Sequence, residues 1–301
     1  MEKLIVRSRK DIIVYCAQRD ILMEDFNEPV TIAPDADVEG LFNNCTSFNQ
    51  PVAIPSGTIK SCRAMFFRCK SFNQQITIPT GVTNCVAMFM GCTSLNQPII
   101  IPEGVEDCNN MFMGCTSLNQ PIIIPEGVED CNNMFTNCLS FDQEMVIPTS
   151  VNNLSGMFTN CVNLNSPISI LPKVELTKRT ARYMFQGCLS LNSQIFFEDL
   201  TNIECMFEDC ISFNQSMRIN DAVRNANNVF KNCMNLNSPI TIYIEPFEPS
   251  VVNRNNIFNK IAGMFEGCEL FKEKIIFKID NRSLQKVIGA PKFSNIELDV
   301  I

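Results

Sequence analysis

An α/β repeat solenoid of roughly eleven stacked coils is the fold class that this sequence predicts. The main observation is a run of 25 residues, Met88–Phe112, that recurs letter for letter at Met111–Phe135, an offset of 23 residues. The same block returns with variation along most of the 301-residue chain. Because one coil of this length cannot bury its own apolar side chains, we expect the coils to stack around one continuous core.

Four columns of residues define the repeat. A Met-Phe pair or a close relative opens each block, and a Phe or Leu lies six residues after that Phe. The column three residues after the Phe consists of Cys45, Cys69, Cys92, Cys115, Cys138, Cys161, Cys188, Cys210, Cys233 and Cys268. The next polar column consists of Asn49, Asn73, Asn96, Asn119, Asp142, Asn165, Asn192, Asn214 and Asn237.

A three-residue element follows the Asn column, as in Val52–Ile54, Ile99–Ile101 and Met145–Ile147. Its outer positions are apolar and its middle position varies. Since side chains alternate between the two faces of a strand, this pattern predicts one short parallel strand per coil with its centre toward solvent. We call these centres the strand-centre row: Thr31, Ala53, Thr77, Ile100, Ile123, Val146, Ser169, Phe196, Arg218, Thr241 and Ile276.

Turn residues come directly after the strand. Pro102 and Pro125 end two of the strands, because proline cannot donate to a ladder, and Gly104 and Gly127 supply the turns. The stretch from each turn to the next Met-Phe pair is suited to a helical turn. Each coil of about 23 residues is therefore expected to hold one strand and one helical turn.

Breaks in the pattern predict the domain boundaries. Two short strands are expected in the N-terminal cap, around Leu4–Arg7 and Ile12–Cys16. Exposed ends of a solenoid need polar caps. The predicted parts are an N-terminal cap over residues 1–24, a solenoid over 25–270 with insertions near 171–183 and 243–262, and a C-terminal cap over 271–301.

Composition excludes several functional classes. The chain has no His, a formal net charge of -8 and a pI near 4.8. The absence of His removes the commonest general base and metal ligand, and the acidic balance argues against nucleic acid, whose phosphates need clustered Lys and Arg. No stretch approaches the roughly 20 apolar residues of a membrane span. The run Ile12–Ala17 is too short for a signal-peptide core, so we expect cytosolic synthesis, which leaves association with a virion or a cell surface open.

The repeat resembles the BspA-like leucine-rich repeat, in its variant with Met-Phe and Phe-Asn-Gln motifs. The matching run is MFxxCxSLNQPIxIPxGVxxCxxMF, and about residues 25 to 270 carry it. This variant occurs in bacterial surface proteins, in protist proteins and in some large viruses. The resemblance implies a leucine-rich-repeat-like solenoid used for adhesion or protein binding, with no enzymatic activity.

The polar and sulfur-containing rows allow both structural and chemical interpretations. Cysteine fits the turn of a narrow coil as a small apolar residue, so we expect all 16 thiols to be reduced; disulfides and a thiolate metal site are the alternatives. We expect the Asn amides to pair with backbone groups of the turns. The acidic residues Glu103, Glu106, Asp107, Glu126, Glu129 and Asp130 form either a solvated face or a weak site for a cation or a basic partner.

The candidate binding residues lie in two places, and no catalytic, metal or cofactor site is predicted. Exposed apolar strips often mark interaction sites, which favours the strand-centre row, chiefly Thr77, Ile100, Ile123, Val146, Phe196 and Arg218. A weaker candidate is the basic first insertion. Its basic residues are Lys173, Lys178, Arg179 and Arg182.

Two functions fit these features. The first is a non-enzymatic scaffold for protein binding or adhesion. The second is a structural component of a larger assembly, such as a phage or virus capsid decoration or a virion surface protein, in which the chain binds other proteins or copies of itself. An enzyme is disfavoured, because the sequence has no nucleophile motif and no phosphate-binding loop.

Overall fold

The computed structural model is a solenoid of about ten turns whose strands run parallel. It describes residues 3–173, 179–220, 222–243 and 263–269, together with the backbone of 275–279 and 296–300. Part of the first insertion (174–178), nearly all of the second (244–262) and most of the predicted C-terminal cap lie outside the described residues. About ten Met-Phe turns can be followed through the solenoid, so the expected eleven coils are not confirmed.

The first described elements are strand β1 (Leu4–Val6) and helix α1 (Arg9–Arg19), followed by a 3₁₀ helix at Met23–Asp25. The expected second strand around Ile12–Cys16 is therefore wrong, since that segment lies within α1. The backbone N–H of Ser8 donates to the Asp11 carboxylate at 3.0 Å, which favours a helix start. Ile12 and Cys16, one turn apart, face the core.

The remaining strands are short and pair in parallel. Their bounds are β2 Val30–Ile32, β3 Met145–Ile147, β4 Ile168–Ile170, β5 Arg179–Thr180, β6 Ile195–Phe196, β7 Leu200–Asn202, β8 Met217–Ile219, β9 Ile240–Tyr243, β10 Ile275–Ile279 and β11 Ile296–Val300. Strand β1 pairs with β2, β3 with β4, β4 with β6, and β5 with β7, whereas β8, β9, β10 and β11 form one sheet in that order.

The strand segments between residues 50 and 124 keep the expected burial pattern without forming regular strands. In Ile99–Ile101 and Ile122–Ile124 the outer side chains are buried and the central one is exposed. Prolines flank both segments on both sides, and the same is true of 52–54. Because each proline removes one donor from the ladder, the pairing is interrupted there while the side-chain alternation persists.

The segment expected to form a helical turn is instead extended backbone followed by tight turns. A second row of parallel bridges joins Ser61, Asn84, Asp107, Asp130, Asn153 and Thr180 in successive coils. Around the Met-Phe pair, hydrogen bonds alternate: Phe66 N–H donates to the next coil at Met88, at 2.8 Å, and Phe67 N–H donates within its own coil to Ala64, at 3.0 Å. Within the described residues, α1 is the only α-helix.

A left-handed backbone at two positions of each coil explains the missing helical turn. The second residue before the column Phe and the second residue after it both have positive φ, as at Asn110 (56°) and Gly114 (75°) around Phe112. A right-handed helix cannot pass through such residues. The coil therefore turns sharply on both sides of the Phe and delivers its ring to the core.

Stacked phenylalanine rings form the centre of the core. Neighbouring rings of the Met-Phe column lie 5.3 to 5.8 Å apart from Phe42 to Phe265, and their planes are nearly parallel. Met111, Cys115 and Leu118 of one coil pack in the same cluster with no exposed surface. The core is thus one continuous column, as the repeat predicts.

Candidate binding surface

The strand-centre row is exposed from Thr31 to Arg218, and Thr241 is half-buried. Ile100 and Ile123 expose 80% and 82% of their surface, Val146 51% and Phe196 61%. Thr77 and Arg218 are exposed as well. The predicted outward orientation is therefore confirmed for all six candidate residues.

Strand pairing places part of this row side by side. Val146 pairs with Ser169, and Ser169 pairs with Phe196. Ile100 and Ile123 are the equivalent residues of the two preceding coils. Ile100, Ile123 and Val146 therefore form a continuous apolar strip, which we call the apolar strip below. Ile100 and Ile123 are the most exposed large apolar side chains among the described residues, and exposed apolar surface of this kind often marks an interaction site.

Prolines and carboxylates border the apolar strip. Pro98 and Pro121 are exposed before the two isoleucines, and Glu103 and Glu126 are exposed after them. The Glu126 carboxylate accepts hydrogen bonds from the backbone N–H groups of Thr149 and Ser150, each at 3.3 Å. The strip therefore has an acidic border on the side where its strands end.

Arg218 lies farther along the row and is held by a neighbour. Its guanidinium donates to the Tyr243 hydroxyl at 2.6 Å and lies over the Tyr243 ring, 5.1 Å from the centroid. In the described residues β6 does not pair with β8. Phe196 and Arg218 therefore belong to the row without sharing a strand ladder.

The basic first insertion does not present Arg179 to a partner. Its side chain is fully buried, donates to the carbonyls of Leu171 (2.7 Å) and Pro148 (3.0 Å), and pairs with Asp199 at 3.2 Å. Burial lowers the pKa of Arg179 and the Asp199 charge raises it. The expected surface role is wrong for this residue, because the guanidinium holds the base of the insertion.

The other basic residues of the insertion are in different positions. Lys173 is partly buried, and its ammonium contacts the Asn152 side chain and lies 3.4 Å from the Ser150 carbonyl. Arg182 is exposed and pairs with Glu204 at 2.9 Å. Lys178 lies outside the described residues. Of the four, only Arg182 is placed at the described surface.

The cysteines of the main column have a structural role. From Cys69 to Cys268 each thiol lies 2.9 to 3.1 Å from the carbonyl oxygen of the Phe in the preceding coil and donates to it. Burial raises the pKa of these thiols, and that of Cys45 to about 12. All 16 cysteines are free, in agreement with the expected reduced state.

The Asn column pairs with the backbone, as expected. Each side-chain oxygen accepts the backbone N–H of the equivalent residue in the next coil, at 2.7 to 2.9 Å, from Asn27 to Asn214. Asp142 fills its place in the same way, with 2.8 Å to the N–H of Asn165. The column is a ladder that joins consecutive coils.

Replacing Asn119 by alanine is expected to lower the free energy of unfolding by about 1 kcal/mol. The Asn119 oxygen accepts from the Asp142 N–H (2.9 Å) and from the Gln143 amide (2.8 Å), and alanine leaves both without this acceptor. Urea unfolding followed by circular dichroism measures the loss. Asn119→Asp, which keeps the acceptor as Asp142 does, is the control and should lose less than half as much; equal losses would contradict the ladder.

The acidic residues include two that complete turns. Asp107 and Asp130 each accept a backbone N–H two residues further on, from Asn109 at 2.9 Å and from Asn132 at 2.7 Å. Burial raises the pKa of Asp107, and the nearby Asp130 charge adds to the effect. Among the described residues there is no group of three or more potential ligands that could hold a metal ion. These two carboxylates therefore act as turn residues.

The left-handed positions are the feature that sequence reasoning missed. The signal was present, because Gly or Asn occupies most of these positions, for instance Asn133 and Asn137 around Phe135. These are the residue types that tolerate positive φ at least cost. Gly and Asn at these two positions predict two sharp bends per coil in place of the helical turn.

The family model described as "Mycoplasma protein of unknown function, DUF285" matches residues 34–122, 107–218 and 144–243, which together span more than half of the chain. No curated protein matches the sequence. In the described part of the chain no helix has the length and apolar character needed to cross a membrane.

Two solved structures are similar over most of their length. One is a leucine rich cell surface protein from Faecalibacterium prausnitzii, with 19% identity and a TM-score of 0.46 over 88% of this chain and 76% of that one. The other is a leucine-rich repeat protein from Bacteroides ovatus, with 20% identity and a TM-score of 0.38 over 90% of this chain and 84% of that one. The chain belongs to the DUF285 family.

Proposed function

We propose that this chain is a non-enzymatic scaffold that binds a partner protein through the apolar strip of its strand-centre row. The observation that carries the proposal is the 80% and 82% exposure of Ile100 and Ile123 in neighbouring coils. Contiguous exposed apolar surface costs solubility and is typical of interaction sites. The basic insertion is a weaker candidate, because its Arg179 is buried.

The border of the strip indicates the chemistry of the partner. Glu103 and Glu126 are exposed at the end of the two strand segments, and the chain as a whole carries a net charge of -8. A complementary partner has an apolar centre flanked by Lys or Arg, because opposite charges at the rim speed association and exclude acidic competitors.

The remaining polar rows support a binding role over a catalytic one. The Cys column donates to Phe carbonyls, and the Asn column accepts backbone N–H groups. Burial keeps the cysteines in the thiol form, whereas nucleophilic catalysis needs the thiolate. The residue types best suited to chemistry are thus committed to holding the coils together.

The partner is found by placing a photoreactive amino acid at position 123 and identifying the cross-linked protein by mass spectrometry. Position 106, an exposed Glu outside the row, is the control. Binding of the purified partner is then measured for the wild type and for Ile100→Thr/Ile123→Thr, in which threonine copies Thr77 of the same row. We expect at least a tenfold loss of affinity, about 1.4 kcal/mol.

Two results would contradict the proposal: equal cross-linking from positions 106 and 123, or unchanged affinity in the double variant. The alternative role is that of a structural component in a larger assembly, such as a virion surface or capsid decoration protein. Cross-links from position 123 that join only copies of this chain would support it, as would sedimentation of the wild type as an oligomer that the double variant does not form.

A further inference from the structure

A notch lies beside the Met-Phe turns, in a part of the coil distinct from the strand-centre row. Its walls include Asn133, Ser155, Gly156, Tyr183 and Gln186. These residues come from three consecutive coils, those of Phe135, Phe158 and Phe185. The notch has a volume of about 480 Å³ and is open to solvent.

At the notch, the left-handed row contains a glycine between two larger residues. The second residue before the column Phe is Asn133, then Gly156, then Tyr183 in successive coils. The Asn133 side-chain oxygen packs directly against Gly156, 2.1 Å from where a Cβ would lie. The Thr136 hydroxyl donates to the Gly156 carbonyl at 2.6 Å, which ties these two coils together beside the notch.

Tyr183 is an unusual residue for this row. Its φ is 57°, a left-handed conformation that bulky side chains rarely adopt. The same position is Asn110 and Asn133 in earlier coils and Asn228 in a later one. Asparagine adopts this left-handed conformation at a lower energetic cost, so the fold does not require an aromatic ring here. Ala64, Ala87 and Cys205 occupy the same position with φ of 51° to 53°, and among the described coils only Tyr183 places an aromatic ring there. A bulky residue kept in a conformation that disfavours it points to function.

Hydrogen-bonding groups surround the ring and their charges are balanced. Arg182 lies over the Tyr183 ring, 5.3 Å from the centroid, and pairs with Glu204 at 2.9 Å. The Gln186 amide donates to Glu208 at 2.8 Å and keeps its carbonyl oxygen as an acceptor. The guanidinium keeps further N–H donors. An aromatic face beside neutralised donors and acceptors suits a neutral, hydroxyl-rich ligand better than an ion.

We propose that this notch binds a neutral sugar residue of a glycan, with its C–H face on Tyr183 and its hydroxyl groups on Arg182 and Gln186. This site is separate from the apolar strip and does not depend on the partner protein. An anionic sugar is disfavoured, because the Glu204 carboxylate already occupies one edge of the Arg182 guanidinium.

The test applies the purified full chain to an array of immobilised neutral and acidic oligosaccharides. The best neutral glycan is then titrated by calorimetry into the wild type, Tyr183→Asn, Gln186→Ala and the control Ala87→Asn. Ala87 has φ 53° at the same position of a distant coil. We expect binding to fall at least tenfold in Tyr183→Asn and Gln186→Ala and to stay unchanged in Ala87→Asn.

Tyr183→Asn should also melt at the same temperature as the wild type or higher, because asparagine relieves the backbone strain. A purely structural role for Tyr183 would leave glycan binding unchanged in this variant. The proposal is overturned by a wild type that binds no neutral glycan, by one that binds acidic glycans only, or by retained affinity in both binding-site variants.

Discussion

Phe112→Ala lowers the free energy of unfolding by about 3–5 kcal/mol, the cost of a large cavity in a core that cannot collapse around it. The Phe112 ring is fully buried and lies 5.7 Å from Phe89 and 5.5 Å from Phe135. Removing it breaks the stack on both sides. Because each coil contacts only its neighbours, the loss also weakens the coupling between the two halves of the solenoid.

Urea unfolding followed by circular dichroism measures this effect. Phe112→Leu is the matched control, since leucine keeps most of the volume, and its expected loss is about 1–2 kcal/mol. We also expect the urea unfolding transition of Phe112→Ala to be broader than that of the wild type, because the two halves of the solenoid then unfold separately. A loss below about 1 kcal/mol in Phe112→Ala would contradict a core centred on the Phe column.

Asp199→Ala is the second substitution with a large expected effect, a loss of about 3–5 kcal/mol, because it leaves a buried guanidinium without its counter-ion. The Arg179 side chain has no exposed surface and that of Asp199 has 7%. The Arg179 Nε has no hydrogen-bond partner among the described residues. Asp199 also accepts the Lys173 backbone N–H at 3.0 Å, so alanine releases the start of the first insertion as well.

The control is the double variant Arg179→Met/Asp199→Leu, measured by the same urea unfolding. It removes both charges and keeps apolar volume, so most of the lost stability should return. Equal losses of stability in Asp199→Ala and in the double variant would show that the uncompensated charge is not the cause of the loss. A loss confined to about 0.5 kcal/mol in Asp199→Ala would place the ion pair at a surface.

The sequence alone predicted the solenoid, the inward columns and the outward row. These depend on identity at fixed spacing, which a near-perfect repeat such as Met88–Phe112 makes easy to read. The alternation in Ile99–Ile101 was enough to place Ile100 outside. The Asn ladder followed from the need to pair backbone groups in every turn.

Other features depend on contacts between residues that no repeat spacing encodes. Arg179 reads as one basic residue among several in an insertion, and its burial depends on Asp199, 20 residues later. The predicted helical turn is not confirmed, because left-handed residues such as Asn110 and Gly114 interrupt a right-handed helix. The notch depends on which side chains three neighbouring coils bring together, among them Tyr183 and Gln186, and the repeat spacing does not encode this.

The free energy of unfolding of Ile100→Thr/Ile123→Thr tests the central claim most directly, namely that buried columns hold the coils together while the strand-centre row is free to bind. Both side chains are about four-fifths exposed, at 80% and 82%, and Thr77 shows that the row accepts threonine. The predicted stability lies within about 1 kcal/mol of the wild type. A loss of more than about 2 kcal/mol would show that the row belongs to the core and would contradict the claim.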